Sequence, residues 1–537
     1  MSLAHTEHLV ILPVLLPLLC GASMIPLDSG RHGLKLVLSL GAALALLAIA
    51  AATMFLADSG HWPHGIGVYL AANWVAPFGI ALVADRLASL MLMLTAVLAV
   101  AVLSYSALRW SRIGVHFHSL FQFLLMGVNG AFLTHDLFNL FVFFEVMLAA
   151  SYGLVLHGYT AQRVRAGMQY VTINLIASLA FLIGVSLIYA TSGTLNMADL
   201  AARLPMLPEG DLALLKAGVA VLCVAFLVKA GMWPLGLWLP TVYAAASPPV
   251  GAMMVLLTKV GVYAVLRLWL LVFSNDAGPA AGYALDVLLP GGMATMAFGA
   301  AGMLAVEAPG RIAGHAAILS SGTLLAAIGS GVPALVPAAL LYLLSSTLAM
   351  AAFMLLIELV ERVRSPRSSV VALTIEAFAV EETPDQPVGE GIPGALAFLA
   401  LAFAGCALVI AGVPPLSGFV AKFGLIHALV GGETSSVAWT LITLIVLSGL
   451  CSTVALTRFG VRTFWAAGDI RPPRLHTTEV ASISALLLAC VILTVQAGPV
   501  LDFLTRTSAG LHRPALYIER VLGVPAVPGA GGKVAPP

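Results

Sequence analysis

Charge is scarce in this chain of 537 residues: Lys and Arg number 25, Asp and Glu 24, together 9% of the sequence. A soluble protein carries about 25% charged residues, and so few cannot cover a water-facing surface of this size. The net charge of +1 excludes the basic field that holds nucleic acid. Cysteine is as sparse. Cys20, Cys223, Cys406, Cys451 and Cys490 stand singly in apolar runs, without metal-ligand or redox spacing, and read as small packing residues. Also absent are a Walker phosphate loop, a dinucleotide glycine fingerprint after a strand and a His-Glu-x-x-His pair. No metal, no cofactor and no covalent catalysis are expected. The first eight residues lack the basic stretch of a cleaved signal peptide, so the first apolar run is expected to persist as a helix.

What is present is apolar. Hydrophobic residues make up 61% of the chain, and mean hydropathy is +1.04. The fold class is therefore an all-α polytopic membrane protein. An ion transporter, a membrane subunit of a redox enzyme and a purely structural assembly subunit are the function classes left. Apolar runs begin near residues 7, 33, 76, 116, 136, 168, 212, 248, 283, 312, 335, 394, 437 and 479. At about 20 residues per crossing, that is about 14 transmembrane helices. The expected organisation is 1–110 for helices one to three and 111–275 for helices four to eight. Helices nine to thirteen take 276–470, with a charged insertion at 362–393; helix fourteen takes 471–505. A Pro/Gly-rich tail, 506–537, reads as poorly ordered. The insertion, with Arg364, Arg367, Glu376, Glu381, Glu382, Asp385 and Glu390, suits an amphipathic surface helix and a flexible loop. Lys and Arg gather in the odd-numbered loops, among them Arg31, Lys35, Arg109, Arg112, Arg163, Arg165 and Arg311. By the positive-inside rule those loops are cytoplasmic and both termini lie outside.

Ionisable groups at mid-membrane mark a pathway or a pairing. Four fall there: Glu145, Lys229, Lys259 and Lys422. Burial disfavours the charged form of a lysine and a nearby carboxylate restores it, so moving Glu145 relative to Lys229 would gate a proton. The competing reading is a static Glu–Lys tie between two helices. Other groups are weaker candidates. Asp136 and His135 begin the fifth span, as a proton access point or a solvated helix start. Lys216 and Arg267 are expected to snorkel, and Asp85 to pair with Arg86. His315 either bridges relay stations or is a satisfied core histidine. Glu307 and Arg311 face headgroups. Phe138, Phe141, Phe143 and Phe144 form a lipid-facing or packing surface.

Two apolar segments are broken alike. One carries Pro234 and Pro240, followed by Ser247-Pro-Pro-Val; the other carries Pro414 and Pro415. Proline removes a backbone donor, and membrane proteins tolerate such breaks where backbone meets a cavity. Lys229 precedes its break and Lys422 follows its own. Breaks in helices 7 and 12, five spans apart, are the mark of two inverted five-helix repeats, helices 4–8 and 9–13.

Four segments carry a family resemblance: Phe138-Asn-Leu-Phe-Val-Phe-Phe-Glu, Lys229-Ala-Gly-Met-Trp-Pro-Leu, Thr258-Lys-Val-Gly-Val-Tyr and Pro414-Pro-Leu-Ser-Gly-Phe-Val-Ala-Lys. Over about residues 70–470 the chain resembles the antiporter-like subunits of respiratory complex I and of multisubunit monovalent cation/proton antiporters. Trp238-Leu-Pro-Thr-Val-Tyr-Ala-Ala-Ala-Ser and the acidic insertion are most similar to the D-type subunits of potassium/proton antiporters. The resemblance implies fourteen helices in two inverted five-helix units and a coupled Glu145–Lys229 pair, with Lys259 and Lys422 continuing a proton path. It implies hydrophobic partner subunits in a bacterial inner membrane, with protons and potassium or sodium as the ions. The alternative is a proton-pumping membrane subunit of a complex I-like NADH:quinone oxidoreductase or a membrane-bound hydrogenase. This chain departs from the family at Tyr243, where many relatives carry histidine, and at Ser345-Ser-Thr-Leu-Ala-Met350, where a His-His…Lys set is common. His315 or water must then fill the second half of the path if protons cross there.

Overall fold

The structure is a computed structural model describing residues 6–28, 30–112, 116–158, 160–363, 394–432, 435–464 and 475–526. The proposed surface helix and loop of the insertion lie outside the described residues. The protein is predominantly helical and multi-pass; among the described residues 12 helices are long and apolar enough to cross a membrane, and three shorter ones, Leu12–Met24, Phe117–Leu133 and Ser417–Val430, are apolar too.

The first elements are α1 (Leu12–Met24), α2 (His32–Asp58), strands β1 (Gly67–Leu70) and β2 (Ala81–Ala84), and α3 (Arg86–Ser106). The third span therefore begins near 86, not near 76. Residues 67–70 and 81–84 pair as an antiparallel hairpin, Gly67 opposite Ala84. Asp85 then stops the strand and starts the helix, its side chain accepting the Ala88 amide at 2.8 Å. Next come α4 (Phe117–Leu133), α5 (Leu137–Val155), α6 (Ala161–Ser192), the short α7 (Met197–Arg203), α8 (Glu209–Ala230) and the half-helix α9 (Leu239–Ala245). They are followed by α10 (Pro248–Val272), α11 (Leu285–Ala305), α12 (Pro309–Gly329), α13 (Leu335–Val363), α14 (Gly394–Ala411), α15 (Ser417–Val430), α16 (Ser436–Phe464) and α17 (Thr477–Val495).

Past 495 the chain forms α18 (Ala497–Leu511) and α19 (Pro514–Leu522), correcting the expectation of a poorly ordered tail as far as residue 526. Pro514 occupies the first turn, where its missing N–H is no loss. Leu504, Tyr517 and Val521 are buried. Arg506 reaches Asp58 at 2.8 Å and Arg520 reaches Glu7 at 2.9 Å, so the last helix lies against the start of the chain.

Three helices form the core. Burial of the apolar window is 94% in α10 and α12 and 100% in α13, against 22% in the peripheral α16. Lipid-solvated helices gain little from apolar burial, so close backbone approach carries their association. Glycine supplies it between α11 and α12. A Cβ at Gly299 would lie 2.6 Å from the Leu319 amide nitrogen, and one at Gly322 would lie 2.6 Å from that of Met296.

The two breaks share one backbone geometry. After α8, Gly231 turns left-handed (φ 77) and the Met232 amide reaches back to the Leu227 carbonyl at 3.0 Å. After α14, Gly412 does the same (φ 74), with Val413 bonded to Leu408 at 3.0 Å. This is a Schellman ending, for which glycine avoids the Cβ clash of the left-handed turn. A cis X-Pro bond follows in each, Trp233–Pro234 and Pro414–Pro415. Pro240 stands in the first turn of α9.

Overpacking the α11–α12 seam should destabilise by about 1–3 kcal/mol. We expect Gly299→Leu to lower the unfolding midpoint of the detergent-purified protein. Gly41→Leu, in a position with open space, should leave it unchanged.

Candidate functional site

Asp136 is the N-cap of α5, accepting the Asn139 amide at 2.8 Å. Mid-helix, half-buried Glu145 accepts a hydrogen bond from the Ser178 hydroxyl of α6. Lys229 lies in the last turn of α8, 5% exposed. Its ammonium sits 5.1 Å from the Phe144 ring centre and has no hydrogen-bond partner among the described residues. Phe144, Phe181 and Phe226 pack edge-to-face at 5.4–6.1 Å, so α5, α6 and α8 build a dry wall on that side. Phe144 thus touches the lysine as well as filling space. The Glu145 field reaches Lys229, yet the two are not hydrogen-bonded to each other.

A polar seam runs on from Glu145. Tyr152 lies within reach of its charge and stacks edge-on against Tyr170 at 5.2 Å. Tyr170 bonds the Ser151 hydroxyl at 2.9 Å and packs on Trp238 at 5.1 Å. Tyr243, in α9, lies near Tyr170 and beside Thr258, the residue before Lys259. The polar atoms of Tyr152, Trp238, Tyr243 and Ser247 are buried without a protein partner among the described residues. Buried groups of this kind take water as partner.

Gly261 brings the second lysine near. A Cβ there would lie 2.6 Å from the Ala230 nitrogen and 3.0 Å from the Lys229 carbonyl carbon, so α10 meets the end of α8 backbone to backbone. Lys259 is fully buried and donates to the Ser320 hydroxyl of α12 at 2.7 Å; Ser320 bonds Ser346 of α13 at 2.9 Å. Ser346 therefore reaches Lys259 through Ser320. Lys422, in α15, donates to the Ala411 carbonyl at 2.7 Å, across its own break. Its stem passes Gly412, where a Cβ would lie 2.4 Å from Lys422 Cδ.

His315 turns elsewhere. It packs against Phe298 of α11 at 5.6 Å, and its Nδ1 is buried without a partner among the described residues. It contacts neither Lys259 nor Lys422 by hydrogen bond. Lys216 is at the surface, bonded to the Pro279 carbonyl at 3.1 Å. Glu307, instead of facing headgroups alone, pairs with Arg462 at 2.5 Å.

Two charge clusters escape a reading of the sequence. Arg267 does not snorkel: it is 3% exposed and holds Asp85 with two bonds, 2.6 and 2.8 Å. Arg86 pairs with Asp58 instead, at 3.0 Å. Fully apolar flanks around Arg267 are the available signal. Glu358, near the end of α13, takes bonds from Tyr105 (2.9 Å), Trp110 (2.7 Å), Arg109 (3.0 Å) and Arg362 (2.7 Å). Arg362 also holds Glu479, in the first turn of α17, at 2.8 Å. This cluster ties α3, α13 and α17 together.

Residues 134–452 match the model of the NADH:quinone oxidoreductase/Mrp antiporter transmembrane family. The chain belongs to this family. A curated relative from Rhizobium meliloti, a probable K(+)/H(+) antiporter subunit of the D type, is 51% identical over 97% of this chain and 98% of its own length. The corresponding Na(+)/H(+) antiporter subunit of Alkalihalophilus pseudofirmus is 34% identical over 96% and 99%. A chain in the structure of the Mrp complex from Dietzia sp. DQ12-45-1b superimposes with a TM-score of 0.80 at 27% identity, covering 97% of this chain and all of that one. The two curated relatives are transporter subunits rather than enzymes.

Removing one partner of a buried pair leaves an uncompensated charge, at about 3–5 kcal/mol. Asp85→Ala should therefore lower the unfolding midpoint sharply, and adding Arg267→Met should restore most of it. Equal midpoints for the single and double variants would show that the pair carries no such coupling.

Proposed function

We propose that the chain is the proton-handling subunit of a multisubunit monovalent cation/proton antiporter of a bacterial cell membrane. It exchanges cytoplasmic potassium or sodium for external protons, beside other hydrophobic subunits that hold the cation path. Glu145, Lys229, Lys259 and Lys422 carry the protons, and Asp136 stands near an access point. The observation that carries this reading is Lys229, buried with no hydrogen bond among the described residues, next to a Glu145 that Ser178 holds. A purely structural tie would be expected to close. Two opposite charges attract by about 4 kcal/mol at 4 Å and about half that at 8 Å, at an effective dielectric near 20. Halving such a separation, as Glu145 leaves Ser178 for Lys229, would thus change the lysine's proton affinity by more than tenfold. Two relatives named as antiporter subunits, matched along their whole length, favour antiport over the redox alternative.

The second half of the path runs from Lys259 through Ser320 and Ser346, with Lys422 beyond. Hydroxyls both donate and accept, so they pass a proton without holding a charge. His315 is reserved for a bridging role that a His315→Ala variant decides. Fourteen spans follow if each broken segment, 209–245 and 394–430, counts once and α1 and α4 are included. The matching left-handed glycine endings of α8 and α14 support two inverted repeats. The contact of Arg520 with Glu7 supports termini on one side, and the basic loops put that side outside.

In vesicles containing the reconstituted complex, Lys229→Ala and Glu145→Ala should abolish cation-driven proton flux, with sodium and potassium compared side by side, while the complex still assembles. Glu145→Asp should retain partial flux. Wild-type flux in both alanine variants would sink the relay. Ser320→Ala with Ser346→Ala removes a hydrogen bond to a charged group, about 1.5–3 kcal/mol, so flux should fall about tenfold or more. An unchanged rate would remove the serine line from the path.

A further inference from the structure

Beside the half-helix α9 the surface holds a cavity of about 420 Å³, lined chiefly by Gln162, Arg165 and Gln169 of α6, Thr241 and Ala244 of α9, and Arg311 of α12. No carboxylate of the described residues lines it. Neither the Arg165 nor the Arg311 side chain forms an ion pair or hydrogen bond among the described residues, and both residues are exposed. Neighbouring Arg163, in contrast, is committed: it donates to the Ala245 carbonyl at 3.0 Å, at the end of α9, and to the His157 carbonyl at 2.9 Å.

We propose that this cavity binds a phosphate group and that the bound group clamps α9 against α6 and α12. Two guanidinium forks with nearby amide and hydroxyl donors suit phosphate oxygens, which accept charge-assisted bonds from several sides. The clamp acts on a wedge already closely seated. A Cβ at Gly314 would lie 2.5 Å from Pro240 Cα, and one at Gly310 would lie 2.7 Å from Ala244 Cα. Because α9 directly follows the break after Lys229, restraining it restrains the backbone beside the lysine. The phosphate can come from a lipid headgroup or from solution. The next face of α6 favours the lipid: Val164, Met168, Leu175, Leu179 and Ile183 stand 41–61% exposed, a stripe along which acyl chains lie below a headgroup in the cavity.

The test uses the intact complex and does not depend on the proton path. Native mass spectrometry of the complex from detergent doped with phosphatidylglycerol should show retained lipid. Arg165→Gln with Arg311→Gln should weaken retention by about fivefold per arginine, from about 1 kcal/mol for an exposed charge pair. In phosphatidylcholine vesicles, added phosphatidylglycerol should alter the flux of the wild type and leave that of the double variant unmoved. If inorganic phosphate alone reproduces the effect, the site is a phosphate site filled from solution. Equal lipid retention and an equal flux response in both proteins would overturn the proposal. So would a double variant that keeps its lipid and sheds a neighbouring subunit, since an acidic protein segment would then occupy the arginines.

Discussion

The expense of charge in a low-dielectric interior orders this molecule. A lysine or aspartate at the centre of a membrane helix costs about 2.5–3.5 kcal/mol on insertion scales, so each buried charge needs a reason. The protein answers in two ways. Asp85 with Arg267, and Glu358 with Arg109 and Arg362, are paired with opposite charge and hold elements together. Lys229 is left with an aromatic face alone, and Lys259 with one serine. The first kind cannot release a proton without breaking an ion pair that holds the fold. On the proposed reading the second kind is free to.

Backbone obeys the same rule. A helix break inside a membrane strands amides and carbonyls, and each must find a partner. After α8 the Trp233 amide finds the Thr295 hydroxyl at 3.0 Å. After α14 the Ala411 carbonyl finds Lys422. The second break is thus repaired by a group proposed to carry protons. Movement of Lys422 would expose that carbonyl, which couples the lysine to the shape of its own break. The first break has no such coupling, because its repair comes from a neutral hydroxyl on a neighbouring helix.

The membrane class, the broken segments and the four charged residues were legible because each is an anomaly in an apolar run. A lysine among leucines is visible in one dimension. Partnership is not. Asp85 and Arg267 are 182 positions apart, and apolar flanks mark the arginine as buried without naming its partner. The β1–β2 hairpin was hidden for another reason: Ile80 to Ala84 continues the apolar run of the next helix, and only the capping role of Asp85 marks the boundary. The tail misled through composition, since its leucines and valines fall at helical spacing between the prolines.

Serine was the residue hardest to weigh. At Ser345 and Ser346 the sequence offers no titratable group, and a reading based on charge finds a gap there. Distance changes that reading, because Ser346 reaches Ser320 and Ser320 reaches Lys259. A hydroxyl in this position does what a histidine could not do without titrating. It keeps the donor–acceptor line intact and adds no charge to α12 and α13, the helices buried most completely beside α10. A second ionisable group there would carry its own desolvation penalty and repel Lys259. On the proposed path Lys259 is therefore the one ammonium between Lys229 and Lys422, and the energetics of that stretch are confined to it.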